Sequence, residues 1–453
     1  MVSATLSHPV PHAVPGRLQL RALLDALRGN ALAAFPRDAF SEDVLVQTFL
    51  GRRHLILSRP DAIHHVLVDH PQNYARADAA TRILRPMLGR GLFLSSGDDW
   101  RQQRRTTAPG FAPRAVRLLA GNVAQAVGEL IETLGGSDAG ALDFVPVFQT
   151  LALEIIGRAI FSLDMKTHAP ELRDLIINYA ARLGRPSLAD FLLPLGVPTP
   201  SDLLRRRFRR RWQRLVTRIV AERRARTGDA PAEGPRDMFD VLAAAAASDE
   251  RPMERLGDQV GTFIVAGHET TASAMFWACY LLASHPEVQD RIAEEASGFA
   301  LGPDDAAEAV PQLTYTRAVV DEVLRLYPPA FVITRQAIVD DVITGIPVPK
   351  RSLVLIAPWV LHRHRRFWND PDRFDPGRFL PDRPPPPRFA YLPFGSGPRT
   401  CIGSPFALTE LVLVLALLFS HFRLALAPHR PVTPVGLTTI QPDHPPPFLL
   451  RRR

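Results

Sequence analysis

Ten residues, FGSGPRTCIG from Phe394 to Gly403, place a thiol where it could do chemistry. Cys401 is one of two cysteines in 453 residues, and an apolar run begins just behind it. Gly395, Gly397 and Pro398 call for a tight turn, Gly403 leaves room for a neighbouring backbone, and the run that follows predicts a helix. A thiol at a helix N-terminus is favoured as thiolate by the dipole and by free N–H groups, which suits a nucleophile or a metal ligand. A zinc site would need further Cys or His at ligand spacing, and His362 with His364 forms an isolated pair in an arginine-rich stretch. A cysteine hydrolase would need a histidine base and an orienting partner that sequence cannot locate in space. The other role for a thiolate is axial ligation of haem iron. Cys279, on an apolar segment, reads as a small buried hydrophobe.

The haem reading predicts companions. Phe394, Gly397, Arg399, Cys401 and Gly403 match the loop F-x-x-G-x-R-x-C-x-G of the cytochrome P450 family of haem-thiolate monooxygenases, spacing included. Three further stretches resemble that family in the same chain order: WRQQR with Trp100 and Arg104, AGHETT with Ala266, Gly267, Glu269 and Thr270, and EVLR with Glu322 and Arg325. The resemblance runs from about residue 40 to the end.

That resemblance implies a mostly α fold with small β-sheets and a haem b held between a long central helix and the helix of the cysteine loop. Cys401 would be the iron ligand, and Trp100, Arg104, Arg335 and Arg399 would hold the propionates, which need strong donors. Ala266 and Gly267 would leave room above the iron. Thr270 would bend the helix by bonding back to a carbonyl, and Glu269 with Thr270 would deliver protons. Glu322 and Arg325 would form a core ion pair completed by Arg378. The chain has Pro376, Gly377, Arg378 and Phe379 where the family commonly has P-E-R-F, which puts only local surface contacts in question.

By the same resemblance, substrate contacts fall on Leu92, Phe93, Leu94, the region around Ala180, Val265, Ala266, Ala330, Phe331, Val332, Ile333, and Thr438, Thr439 and Ile440. Their apolar character implies hydroxylation or epoxidation of a lipophilic small molecule: a fatty acid, terpenoid, steroid-like or aromatic compound. About fifty residues follow Cys401 and show no flavin or iron–sulfur segment, so electrons are expected from a separate ferredoxin or flavodoxin with an NAD(P)H-dependent reductase. Arg104, Arg105, His362, Arg363, His364, Arg365 and Arg366 are the basic residues that could dock it. A peroxygenase or isomerase of the same fold, or a non-catalytic haem protein, is the alternative; Glu269 and Thr270 favour oxygen plus electrons.

The elements that must position these residues are legible in outline. DVLVQTFLGRRHLIL reads as two strands around Gly51, with a helix starting at Pro60. Helical periodicity dominates from about Trp100 to Leu326, and strands return after Pro328. Residues 1–39 read as an N-terminal extension with a first helix, and 40–453 as one domain. The segment from Leu204 to Arg226 keeps Leu204, Phe208, Trp212, Leu215 and Ile219 at helical spacing, so its arginines are expected on the outer face.

Hydrophobic residues at 46% and charged residues at 22% exclude a disordered chain. The net charge of +8 invites nucleic acid, yet it concentrates in that one helix and no recognition motif accompanies it. The N-terminal stretch carries no secretory signal or membrane anchor, and two cysteines suit a reducing compartment, so a cytoplasmic monomer is expected. The apolar segments 262–283 and 407–422 read as interior helices, the first because His268, Glu269, Thr270 and Thr271 lie at its centre.

Overall fold

The computed structural model describes residues 29–49, 51–136, 141–228 and 236–453. Most of the expected N-terminal extension therefore lies outside the described residues. Its last part does not behave as an appendage: Leu32 and Phe35 are buried, and Asn30 clasps the C-terminal strands by donating to Pro434 O at 2.9 Å and accepting from Gly436 N at 2.9 Å.

The chain is mainly helical, with eleven strands among the described residues: β1 Val44–Phe49, β2 Arg52–Leu57, β3 Tyr74–Arg76, β4 Ile333–Ala337, β5 Asp341–Ile343, β6 Ile346–Val348, β7 Leu353–Ile356, β8 Phe422–Leu426, β9 Pro434–Gly436, β10 Ile440–Pro442 and β11 Phe448–Arg452. Five of them form one sheet in the order β1-β2-β7-β4-β3, and the other six pair two by two. Gly51 turns β1 into β2 at φ +71°, a backbone angle that favours glycine. The sheet sets two arginines side by side, because β3 pairs β4 with Arg76 opposite Arg335.

Two helices organise the core. The central helix, Pro252–Ala283, begins with proline at a position that needs no N–H donor, and from Thr271 to Leu282 every residue is buried. The cysteine helix, Ser404–His421, is buried along Leu411–Phe419. That helix and Phe144–Phe161 are long and apolar enough to cross a membrane, and both are mostly covered by the rest of the protein.

The basic helix, Pro200–Thr227, departs from its expected pattern at three positions. Phe208, Trp212, Leu215 and Ile219 are buried as the spacing requires, but Leu204 is 51% exposed. Arg205 takes an inward place instead and donates to Asp190 at 2.6 Å, while Arg223 reaches Asp237 at 2.6 Å. Buried guanidinium groups with carboxylate partners are tolerable where unpaired ones are not, so the arginines divide between both faces.

Candidate functional site

The cysteine loop is shaped by glycines at positive φ, Gly395 at +70° and Gly397 at +74°. A Cβ on Gly397 would stand 1.9 Å from Leu67 O, so the close backbone approach expected at Gly403 occurs here instead. Gly403 meets only ordinary contacts and serves as the residue before the cysteine helix. The loop is closed by Cys401 N donating to Phe394 O at 2.9 Å. Backbone N–H groups of Gly403 and Ser404 and the Arg104 charge draw the Cys401 pKa down, but burial outweighs them and leaves the thiol above its ordinary value. The helix terminus alone does not make a thiolate; a bound metal cation would.

Cys401 opens onto a cavity of about 1420 Å³ that Ala266, Gly267 and Thr270 of the central helix also line. Thr270 Oγ1 donates back to Ala266 O at 2.6 Å, the bond that loosens a helix at this point. Gly267 has a second reason to be glycine. A Cβ there would meet Ile156 Cδ1 at 2.6 Å, so the missing side chain lets the Phe144–Phe161 helix pack close as well as leaving the cavity clear.

At the cavity edge lie four guanidinium groups with no ion pair among the described residues. Arg399 rests over the Trp100 ring at 4.1 Å and donates to Ser95 O, while Arg104 donates to Thr400 O. Arg335 reaches only Thr334 O, and Arg76 has a buried Nε without a partner. Burial and the neighbouring Arg335 and Arg399 charges pull Arg76 down to about 9; burial, with Arg335 and Arg104, pulls Arg399 to about 10. Guanidinium groups that burial desolvates first and like charges then repel call for an anionic ligand. A planar group with a metal for the thiol and two carboxylates for the arginines fits; haem has this donor set. Arg76 escaped sequence reasoning, although the pairing of short strands that puts it beside Arg335 is a tertiary event that local spacing does not announce.

Glu269 does not line the cavity. Its carboxyl is partly buried and accepts the Thr438 hydroxyl at 3.3 Å. Burial pushes it up to about 7, with Thr438 opposing. A second acid was also missed: Glu410 on the cysteine helix is 1% exposed, lines the cavity, and is held well above the usual carboxylate range by burial, with Thr271 opposing. The lone acid inside ALTELVLVLALLF was the available signal.

Of the expected substrate contacts, Leu92, Phe93, Leu94, Ala180, Ala266, Ala330, Phe331, Val332, Ile333 and Thr438 line the cavity. Val265, Thr439 and Ile440 do not. Ile440 is buried, and its carbonyl accepts Ser273 at 2.6 Å and Trp277 at 3.0 Å, which fastens the C-terminal strands to the central helix. Phe93 also carries the Arg76 guanidinium 3.9 Å over its ring. Leu45, Phe49 and Phe191 extend the lining toward the β1–β2 hairpin, beyond the segments expected.

The remaining expected residues sit away from the cavity. Glu322 and Arg325 are fully buried in a two-pronged pair at 2.6 and 2.8 Å, Arg325 also bonds three carbonyls, and Arg378 approaches Glu322 at 3.6 Å. The basic patch is smaller than the sequence suggests. His362, Arg363 and His364 are buried: His362 accepts from Leu392 N and, through its carbonyl, from Arg325, Arg363 pairs with Asp372, and the His364 ring meets Glu42 O. Arg366 pairs with Asp43, leaving Arg105 and Arg365 exposed.

The family profile described as cytochrome P450 matches residues 37–448. "Cyclooctatin synthase" of Streptomyces melanosporofaciens is 33% identical over 86% of this chain and 85% of its own. "Putative cytochrome P450 132" of Mycobacterium tuberculosis is 31% identical over 89% of each chain, and "pentalenene oxygenase" of Streptomyces avermitilis 31% over 79% and 78%. A cytochrome P450 crystal structure superposes with a TM-score of 0.79 over 98% of this chain and 100% of that one, at 26% identity.

Proposed function

The chain belongs to the cytochrome P450 family, an oxidoreductase, and on that premise we propose that it inserts one atom of O2 into a lipophilic substrate, releasing the other as water with two external electrons and two protons. The carrying observation is the convergence of an unpaired thiol, four acid-free guanidinium groups and an apolar, hydroxyl-bearing helix on one cavity. Haem b with a thiolate ligand supplies oxygen activation and O–O cleavage when bound. Cys401 would ligate the iron, and Arg76, Arg104, Arg335 and Arg399 with Trp100 would hold the propionates. Glu269 and Thr270 would hold and pass protons, and the apolar lining would orient substrate and keep water out.

The substrate class we favour is a terpenoid-like hydrocarbon, supported by the apolar lining and by relatives named for cyclooctatin and pentalenene. Electrons would come from a ferredoxin or flavodoxin in the cytoplasm, meeting a monomer at the face with Arg105 and Arg365. Reduced-plus-carbon-monoxide difference spectroscopy is the test. Wild type and Cys279→Ser give the thiolate-type Soret band, and Cys401→Ser loses it; no such band in wild type defeats the reading. A spectral-shift screen of terpenoid, fatty-acid, steroid and aromatic ligands then ranks the substrate classes.

A further inference from the structure

The tip of the β9–β10 turn touches both the cavity and the acid. Leu437 and Thr438 line the cavity, whereas Glu269 does not, and Thr438 donates its hydroxyl to Glu269 Oε1. The turn is held at both ends. Asn30 clasps β9 through Pro434 O and Gly436 N, and Ser273 and Trp277 hold Ile440 O at the start of β10. Within the turn, Leu437 N donates to Thr439 O at 3.0 Å. The part left to respond to a ligand is the tip, and its contact to the acid is a long hydrogen bond of 3.3 Å, near the weak end of the range.

We propose that Thr438 is a positioning residue that couples occupancy of the cavity to the acid: its hydroxyl holds the Glu269 carboxyl at the C-terminal turn, and a substrate pressing on Leu437 and Thr438 releases that carboxyl to Thr270. This rests on the monooxygenase reading and extends it, since proton delivery would wait for substrate.

The energetics run in the required direction. A hydroxyl donated to a carboxylate favours its charged form, so losing that bond raises the pKa and loads the proton. Burial has already pushed Glu269 up to about 7, and Thr438 is the group that opposes it. The neighbouring His268 is buried and pulled down to about 4 by burial and by Arg173, so it stands neutral beside the acid at neutral pH. Released, the carboxyl has Thr270 next to it on the same helix; the proton leaves Glu269 for the Thr270 side, and the carboxylate reloads from solvent.

The test uses the haem-loaded full chain and infrared difference titration of the protonated carboxyl stretch that Glu269→Gln removes. Thr438→Val should move that titration upward by about half a unit, a roughly threefold rise in the ratio of protonated to ionised form at fixed pH. Thr438→Ser should restore it. Adding 1-phenylimidazole to fill the cavity should shift wild type upward in the same way and leave Thr438→Val unmoved. The proposal is overturned if Thr438→Val leaves the titration in place, or if 1-phenylimidazole shifts both proteins equally. A normal thiolate-type carbon monoxide band beside an unmoved carboxyl sinks this inference alone; loss of the band in wild type sinks the monooxygenase reading first.

Discussion

Arg399 lies over the face of Trp100, 4.1 Å from the ring centroid, and no carboxylate of the described residues meets its guanidinium. The ring positions a cation for a ligand that the described residues do not supply, and it does so across about three hundred residues of sequence. Arg76 and Arg335 extend this unpaired charge along the adjoining strands β3 and β4.

If these charges hold a dianionic haem, removing one should weaken retention without unfolding the protein. Arg76→Gln should raise the haem dissociation constant about tenfold or more, the scale of one hydrogen bond to a charged group. Relief of repulsion with Arg335 and Arg399 should leave the apoprotein no less stable. Haem transfer to apomyoglobin, with apoprotein melting alongside, reads both.

Glu322 and Arg325 are fully buried partners, so deleting one leaves an uncompensated charge. Glu322→Ala should cost about 3–5 kcal/mol of stability. Arg378→Met should cost much less, because that side chain is partly exposed and 3.6 Å away. Denaturant melts of the two variants decide the order, and equal losses would contradict it.

Gly267 and Ile156 form a testable packing pair. Gly267→Ala should gain helix propensity yet lose stability on balance, by about 1–2 kcal/mol, because the new Cβ meets Ile156 Cδ1 at 2.6 Å. Ile156→Val removes that atom, so the double variant should be less destabilised than the sum of the two single changes. Strict additivity would mean that the glycine serves only the cavity.

Glu269 gives a pH signature with a definite sign. Its folded pKa, about 7, stands above the ordinary 4.5, so the folded state binds this proton more tightly than the unfolded state does. The resulting stability is fully present below pH 4.5 and is lost as pH rises toward 7. The melting temperature of wild type minus that of Glu269→Gln should therefore fall across this window and flatten above it. In the loaded enzyme, Glu269→Gln should slow product formation and raise peroxide release.

Much of the site was legible because its determinants are local. Five fixed positions in ten residues define the cysteine loop, and Ala266, Gly267 and Thr270 follow one another on a helix that must present them together. Other expectations failed where burial depended on distant contacts. Arg205 and Arg223 turned inward because Asp190 and Asp237 were there to receive them, and His362, Arg363 and His364 went beneath the surface to meet Arg325, Asp372 and the Glu42 carbonyl. Arg76 and Glu410 were missed for the same reason: each gains meaning only beside residues far away in the chain.

By itself the sequence determined the cysteine loop, the hydroxyl-bearing central helix and the largely helical architecture, since residue type, spacing and apolar periodicity are properties of the covalent chain. Only the tertiary structure decided which charges go unpaired, that Glu269 answers to Thr438 rather than to the cavity, and that Ile156 fills the space beside Gly267. Desolvation, repulsion and steric contact depend on what is brought within a few ångströms, and folding alone sets that.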